Sequence, residues 1–389
     1  MNMIRKCVAG LTVFLCLASL PRVPLLNAFQ DAPISPEKDR ENPDISPPQT
    51  LLVVQGASGK DEYELVFTQA SKAIQSAAKE AKARFFWIGR PQNAAVAPTS
   101  NTLKTANDSL GNANSESSEE NDRSLLKKLI KDESVYQSQL WIIFIGHGTF
   151  DQTTAKFNLR GPDVSAGELG KWLDECKRPI AVINCASASA PFINRLAGKN
   201  RVIVTATKSG YELNYTRFAE YFAPAFSNQK ADLDKDEQVS LLESFLFASR
   251  QTLEFYQSES RLATEHALID DNGDGKGTPL DFFRGVRVVR KSKDDTLPDG
   301  PLANQIFLIK SAFEKQLSPD LRRKRNRIEV ELELLRSQKN NLETELYYAA
   351  IEEKLVELAK LYRDIQEGSE KGDPAVEKTE SAATENSEK

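Results

Sequence analysis

Residues 140–148 read LWIIFIGHG. The run from Leu140 to Ile145 has no polar face and stops at a glycine, which fits a strand buried on both sides better than an amphipathic helix. Four more stretches share that texture: TLLVVQ (50–55), RFFWI (84–88), PIAVIN (179–184) and RVIVTAT (201–207). Between them lie helical patterns. DEYELVFTQASKAIQSAAKEAKA (61–83) places Val66, Ala70, Ala73, Ile74 and Ala77 on one face, SLLKKLIKD (124–132) is a short helix, and SAGELGKWLDECK (165–177) begins with a capping signature. Strands of continuous apolar residues alternating with helices predict an α/β fold, a three-layer sandwich around a mainly parallel sheet. In such sheets ligands bind off the carboxyl ends of the strands. Three loops stand there: GASGKDEY (56–63), GHGTFD (146–151) and NCASASAPF (184–192).

Composition narrows the class. Lys and Arg number 51 against 56 Asp and Glu, a net charge of −5, which gives no reason to expect nucleic acid as a partner. An apolar fraction of 40 % over 389 residues supplies a core and excludes wholesale disorder. With 4 Cys and 2 His the chain cannot build a multi-cysteine zinc framework.

Residues 1–28 have the pattern of an export signal: Arg5 and Lys6, the apolar run CVAGLTVFLCLASL, then PRVPLLNA ending at Ala28. An uncleaved anchor is the alternative. The expected location is periplasmic or extracellular, with no membrane contact beyond the signal. Residues 29–48 are a Pro-rich linker, and the α/β domain is expected over 49–300 with a disordered, Asn- and Ser-rich insertion at 91–123. Cleavage leaves Cys176 and Cys185. If PIAVIN is a strand, about 20 Å of extended chain separates them, too far for a disulfide, so both are expected to be free and buried.

From residue 301 to 366 the chain turns rich in Leu, Glu, Lys and Arg. Ile328, Leu332, Leu335, Leu342 and Leu346, then Ile351, Leu355, Leu358 and Tyr362, fall at helical spacing, and Ser318-Pro319 is a helix start. A helical hairpin or coiled coil is expected, with a surface for self-association. The tail 367–389 has seven acidic and three basic residues and is expected to be disordered.

His147 ends one strand and Cys185 ends the next, so a parallel sheet can place imidazole and thiol side by side, with Cys185 as nucleophile, His147 as general base and acid, and the Gly148 N–H as an oxyanion donor. A lone His and Cys in separate loops are more often coincidental. The pattern strand–His147-Gly148, helix, strand–Cys185, with VVQGASGKDEYELVF, FNLRGPDVSAGELGKWL and RVIVTATKSGYELNYTRFAEYF, resembles the caspase–legumain superfamily of cysteine peptidases, closest to legumain-like bacterial exported proteins. The likeness covers about residues 50–285. It implies a caspase/hemoglobinase-like fold, a His/Cys dyad at the strand ends, and cleavage of a peptide or protein substrate with no cofactor needed for catalysis. One position departs. The family places its nucleophile after a small residue that follows an acidic or amide residue, and aligned without a gap Asn184 takes the amide place, Cys185 the small one and Ala186 the nucleophile's. Either Cys185 acts from a shorter loop, or the site is degenerate and the chain is a peptide- or protein-binding or assembly module. Lys208, Ser209, Glu212, Asn214 and Arg217 are candidates to line a specificity pocket, and His266 reads as structural.

Two acidic loops have calcium-ligand spacing, which makes Ca²⁺ the one cofactor suggested. In DLDKDEQVSLLE (232–243), Asp232, Asp234, Asp236, Gln238 through its backbone, Ser240 and Glu243 occupy the ligand positions of an EF-hand loop, with Glu237 where Gly is expected. In DDNGDGKGTPLD (270–281), Asp270, Asn272, Asp274, Gly275 and Thr278 match the early positions, while Asp281 replaces Glu and Pro279 interrupts the exit helix. A helix-capping acidic turn and a tight Asn-Gly/Asp-Gly turn are the plain alternatives. A third reading of the whole chain is a calcium-responsive structural protein of the cell envelope.

Overall fold

The computed structural model describes residues 48–91, 121–290 and 298–370. The expected export signal, nearly all of the expected linker, most of the expected 91–123 insertion and most of the acidic tail lie outside them. Each predicted apolar run is a strand: β1 (Thr50–Gln55), β2 (Arg84–Ile88) and β3 (Leu140–Ile145). After β3 the chain makes a small antiparallel sheet of β4 (Gly148–Phe150), β5 (Ala155–Phe157) and β6 (Val164–Ser165), then returns as β7 (Ile180–Asn184) and β8 (Arg201–Thr205). Two short strands, β9 (Leu268–Asp270) and β10 (Thr278–Pro279), complete a seven-stranded sheet of order β10-β9-β8-β7-β3-β1-β2. From β2 to β8 every pairing is parallel, whereas β9 and β10 join antiparallel. A further hairpin is formed by β11 (Phe283–Arg284) and β12 (Arg287–Val288).

Because side chains alternate across a strand, Leu51 and Val53 face one layer of helices while Leu52 and Val54 face the other. The first layer holds α1 (Asp61–Glu80); the second holds α2 (Asp122–Glu133), α3 (Ala166–Asp174) and α4 (Pro191–Leu196). Two more helices, α5 (Phe218–Ala225) and α6 (Leu241–Ser258), return to the first layer. The result is an α/β fold with a mainly parallel sheet flanked by helices. The capping signature at Ser165 is realised in full: its hydroxyl accepts the Glu168 N–H at 3.2 Å and the Glu168 carboxylate accepts the Ser165 N–H at 3.1 Å.

Three boundaries differ from expectation. The insertion ends before residue 121, because Asn121 accepts the Ser124 N–H at 3.0 Å and caps α2. Residues 302–310 do not extend the helical region: a 3₁₀ turn at Ala303–Gln305 leads to Phe307, which bridges to Ser240. A short α7 (Ala312–Gln316) then precedes α8 (Pro319–Ser337) and α9 (Thr344–Glu370), which pack together as the expected hairpin, α9 running slightly past the predicted end. The hairpin is fixed to α7 by a buried carboxylate: Glu314, 1 % exposed, bonds Arg322 Nε at 2.6 Å and Arg325 Nη1 at 2.5 Å. Among the described residues no helix is long and apolar enough to cross a membrane.

Candidate functional site

The topology puts the two singled-out loops together. β3 and β7 are hydrogen-bonded neighbours with Phe144 opposite Asn184, so His147 and Cys185 follow adjacent strand ends. Cys185 continues the face of Ala181 and Ile183 and packs in the core layer with Phe218 and Phe222. Its side chain is 2 % exposed, its N–H donates to the Phe144 carbonyl at 3.0 Å, and its carbonyl accepts the Thr216 hydroxyl at 2.5 Å. The whole turn from Cys185 to Ala190 is buried. Ala188 holds a left-handed conformation with φ 53°, fixed where its N–H meets the Glu212 carbonyl at 2.9 Å.

His147 is half-buried in an aromatic setting. Its ring lies edge-on to Tyr63 and Phe67, with centroids 4.9 and 5.3 Å away, and Tyr215 stacks on Tyr63 at 4.8 Å. Nε2 is 3.2 Å from the Ser58 carbonyl, which can only accept, so Nε2 carries the proton. No hydrogen bond joins the imidazole to the Cys185 thiol among the described residues. The electrostatics oppose a thiolate–imidazolium pair from both ends: burial, with the Glu265 charge adding, pushes the Cys185 thiol far up, and burial lowers His147. The Gly148 N–H assigned to an oxyanion is engaged as well. It donates to Ser187 Oγ at 3.2 Å, and that hydroxyl returns a bond to the Gly148 carbonyl at 3.1 Å.

Of the residues considered for a specificity pocket, Glu212 binds His266 Nδ1 at 2.6 Å and the Lys208 N–H at 2.9 Å, while Ser209 Oγ accepts the Tyr211 N–H at 3.1 Å. Arg217 lies over the Phe255 ring at 4.0 Å and pairs with Glu220 at 3.1 Å. His266 is thus a hydrogen-bond partner of Glu212. Asn214 is exposed. One buried acid escaped the sequence reading. Glu265, 4 % exposed, accepts the N–H groups of Arg217 at 2.8 Å and Phe218 at 3.1 Å at the start of α5, and the Tyr256 hydroxyl at 3.1 Å. Burial pushes it up to about 7. It lies some 47 residues from Phe218 in sequence, so only folding brings it there. In the loop after β8, Tyr211 and Leu213 are 70 % and 58 % exposed.

The first acidic loop gathers Asp232, Asp234 and Asp236 with one carboxylate oxygen of each within 4.8 Å of the others. Glu243, 1 % exposed, accepts the N–H groups of Leu233 at 2.7 Å and Ser240 at 2.8 Å and closes a capping box on α6, so the capping reading is realised. Burial first, then the facing charges of Glu243, Asp236 and Asp232, raises Asp234. Glu237 adopts φ 68°, the left-handed turn for which a calcium loop uses Gly. The Gln238 side chain donates from Nε2 to Asp236 Oδ2 at 2.8 Å and accepts the Ser311 N–H at 3.1 Å through Oε1.

In the second loop Asp270, Asn272, Asp274 and Thr278 follow one another around a tight turn, but Asp281 leaves it. Its side chain is 60 % exposed and pairs with Arg290. A 3₁₀ turn at Leu280–Phe282 replaces the exit helix, because Pro279 has no N–H to continue one. Two buried acids outside the predicted set stand here: Asp271, 7 % exposed, and Asp299, 1 % exposed. Burial first, then the charge of Asp270 on Asp271 and that of Asp271 on Asp299, raises both.

The sequence matches no protein-family model and no curated protein.

Proposed function

We propose that the chain is an exported relative of the caspase–legumain peptidases that has lost nucleophilic catalysis and binds a peptide or protein segment at its strand ends. The observation that carries this reading is the burial of Cys185: a nucleophile must reach a scissile carbonyl, and Cys185 is 2 % exposed and lies in the hydrophobic core. Ala186 standing in the family's nucleophile position, and the occupation of the Gly148 N–H by Ser187, support the same conclusion. The fold supports the kinship, with His-Gly and Cys following neighbouring parallel strands. The exposed Tyr211 and Leu213 side chains supply apolar contact area of the kind that peptide sites use. Ca²⁺ at Asp232, Asp234 and Asp236 belongs to this reading, and the convergence of their oxygens within 4.8 Å supports it. The exposed Leu346, Tyr348, Leu355 and Val356 on α9 support self-association through the helical hairpin.

The competing reading is an active cysteine endopeptidase with His147 as base and acid and Cys185 as nucleophile. The adjacency of β3 and β7 favours it, and it requires the turn at 185–190 to leave the core. Alkylation of the native mature chain with iodoacetamide separates the two, with Cys185 followed by peptide mass mapping apart from Cys176. Slow labelling, unchanged by His147→Ala and released only on unfolding, is expected. Fast labelling near neutral pH that His147→Ala slows overturns the proposal.

A further inference from the structure

The second acidic loop contains a feature absent from the first, a buried carboxylate oxygen with no partner. Asp270 is 0 % exposed; its Oδ1 accepts the Gly273 N–H at 2.9 Å, and its Oδ2 has no hydrogen-bond partner. Burying an unpaired charged oxygen is expensive, and buried polar atoms in folded proteins nearly always have a partner. The carboxylate faces the inside of its own turn, where it lies within electrostatic reach of Asp274. Around it the chain is wound by side-chain-to-backbone bonds, Asn272 Oδ1 accepting the Asp274 N–H at 2.8 Å and Asp274 Oδ1 the Lys276 N–H at 2.7 Å.

Asp299 closes the other side. Its Oδ1 accepts the N–H groups of Asp271 at 2.9 Å and Asn272 at 3.1 Å, and its Oδ2 accepts the Thr278 hydroxyl at 2.5 Å. It therefore bridges the start of the loop and Thr278, the ninth position of a twelve-residue calcium loop, whose last ligand stands at the twelfth. Asp281, the residue at that place in the sequence, is turned out to solvent beside Arg290. Hard oxygen donors of mixed charge, two carboxylates with an amide and a hydroxyl oxygen, suit Ca²⁺ better than a transition metal.

We propose that the turn at 270–278 is a divalent-cation site of the Ca²⁺ type in which Asp270 supplies its unpartnered oxygen and Asp299, rather than Asp281, supplies the closing carboxylate. The site has a structural consequence. Asp271 Oδ2 accepts the Ala303 N–H at 2.8 Å, so the loop grips the segment that starts at Asp299. That segment continues to Asn304, which accepts the Ser240 hydroxyl at 3.1 Å, and to Ile306, whose carbonyl accepts the Leu241 N–H at 2.8 Å. Further on, Ser311 caps α7, from which Glu314 holds α8. A cation at Asp270 thus secures the strap that attaches the C-terminal helices to the sheet. The inference is independent of whether Cys185 is a nucleophile.

The test uses the mature full chain carrying Asp232→Asn, Asp234→Asn and Asp236→Asn, which disables the first loop. Calcium chloride is titrated calorimetrically into protein stripped with EDTA, and thermal unfolding is followed with and without Ca²⁺. One site and a rise in Tm are expected. Adding the exposed-residue change Asp274→Asn, which leaves the buried groups in place, weakens binding about tenfold or more, and Asp270→Asn abolishes the Ca²⁺ response while raising the Tm of the cation-free protein. Asp281→Asn leaves affinity unchanged. The proposal is overturned if millimolar Ca²⁺ gives neither heat nor a Tm shift in the first-loop background, or if Asp281→Asn weakens binding and Asp274→Asn does not.

Discussion

Ser187 Oγ is bonded to both backbone groups of Gly148, accepting from its N–H at 3.2 Å and donating to its carbonyl at 3.1 Å. One hydroxyl thereby locks the turn after β7 to the start of β4 and occupies the donor that a tetrahedral intermediate would need. The backbones meet closely: a Cβ on Gly148 would lie 2.3 Å from the Ser187 carbonyl oxygen.

Two substitutions measure this lock. Ser187→Ala leaves the N–H and carbonyl of Gly148 without a partner on that side and is expected to lower stability by about 1–3 kcal/mol in urea denaturation. Gly148→Ala must push the two loops apart and costs more, because the obstructing atom is backbone. Equal or higher stability in either variant would contradict the contact.

Cys185 behaves as a core residue. Cys185→Ser places a hydroxyl among Ala181, Ile183, Phe218 and Phe222, and about 1–3 kcal/mol of stability is lost when such a group finds no acceptor. Cys185→Ala removes only the sulfur and is expected to be milder. For an accessible nucleophile both changes would leave the melting temperature where it was and erase turnover instead.

Glu265 sets part of the pH dependence. Its folded-state value of about 7 lies above the ordinary 4.5. The folded chain therefore binds the proton more tightly than the unfolded chain, and the contribution to stability is fully present below about 4.5 and is lost as pH rises through about 7. Wild type should lose stability across that window, and Glu265→Gln should show a flatter profile in thermal melts taken from pH 4 to pH 8. Parallel profiles for the two proteins would remove Glu265 from the account.

Glu237 pays for the left-handed turn with φ 68°. A left-handed residue bearing a Cβ costs roughly 1–2 kcal/mol, and Gly returns part of that gain as extra freedom in the unfolded chain, about 0.5–1 kcal/mol. Glu237→Gly is expected to stabilise slightly and to tighten Ca²⁺ binding at the first loop, read by the same calorimetric titration in protein whose second loop carries Asp270→Asn. A destabilised Gly variant would mean that the Glu237 side chain has a role of its own.

In the hairpin, Glu314 pairs with two guanidinium groups, Arg322 and Arg325, and Arg325, 5 % exposed, has Glu329 as a longer partner at 3.7 Å. Glu314→Gln leaves the buried Arg325 with only the longer contact to Glu329, at an expected cost approaching about 3 kcal/mol. Limited proteolysis should then release α8 and α9 first.

The five parallel strands, the helices between them and the hairpin were legible because each rests on local information. LWIIFI and PIAVIN can be buried on both faces only in a covered parallel sheet, and Ser165 with Glu168 marks a helix start within four residues. The proximity of His147 and Cys185 was also legible at the level of strand ends. The direction of the Cys185 side chain was not, since it depends on the pleat of β7 carrying on for one more residue into the layer of α5 and α6. Glu265 and Asp299 were invisible for a different reason: each joins its site across a long loop, and nothing in their neighbours distinguishes a buried acid from a solvated one. Asp281 shows the converse, a residue at the right spacing that Pro279 turns away.

The sequence by itself determined the class of fold, because apolar periodicity and capping are properties of short segments. Whether the thiol is accessible, which hydroxyl fills the glycine donor, and which aspartate closes the second loop were decided only by the tertiary structure. Burial and hydrogen-bond satisfaction depend on what the rest of the chain places against a residue, and no local spacing carries that information.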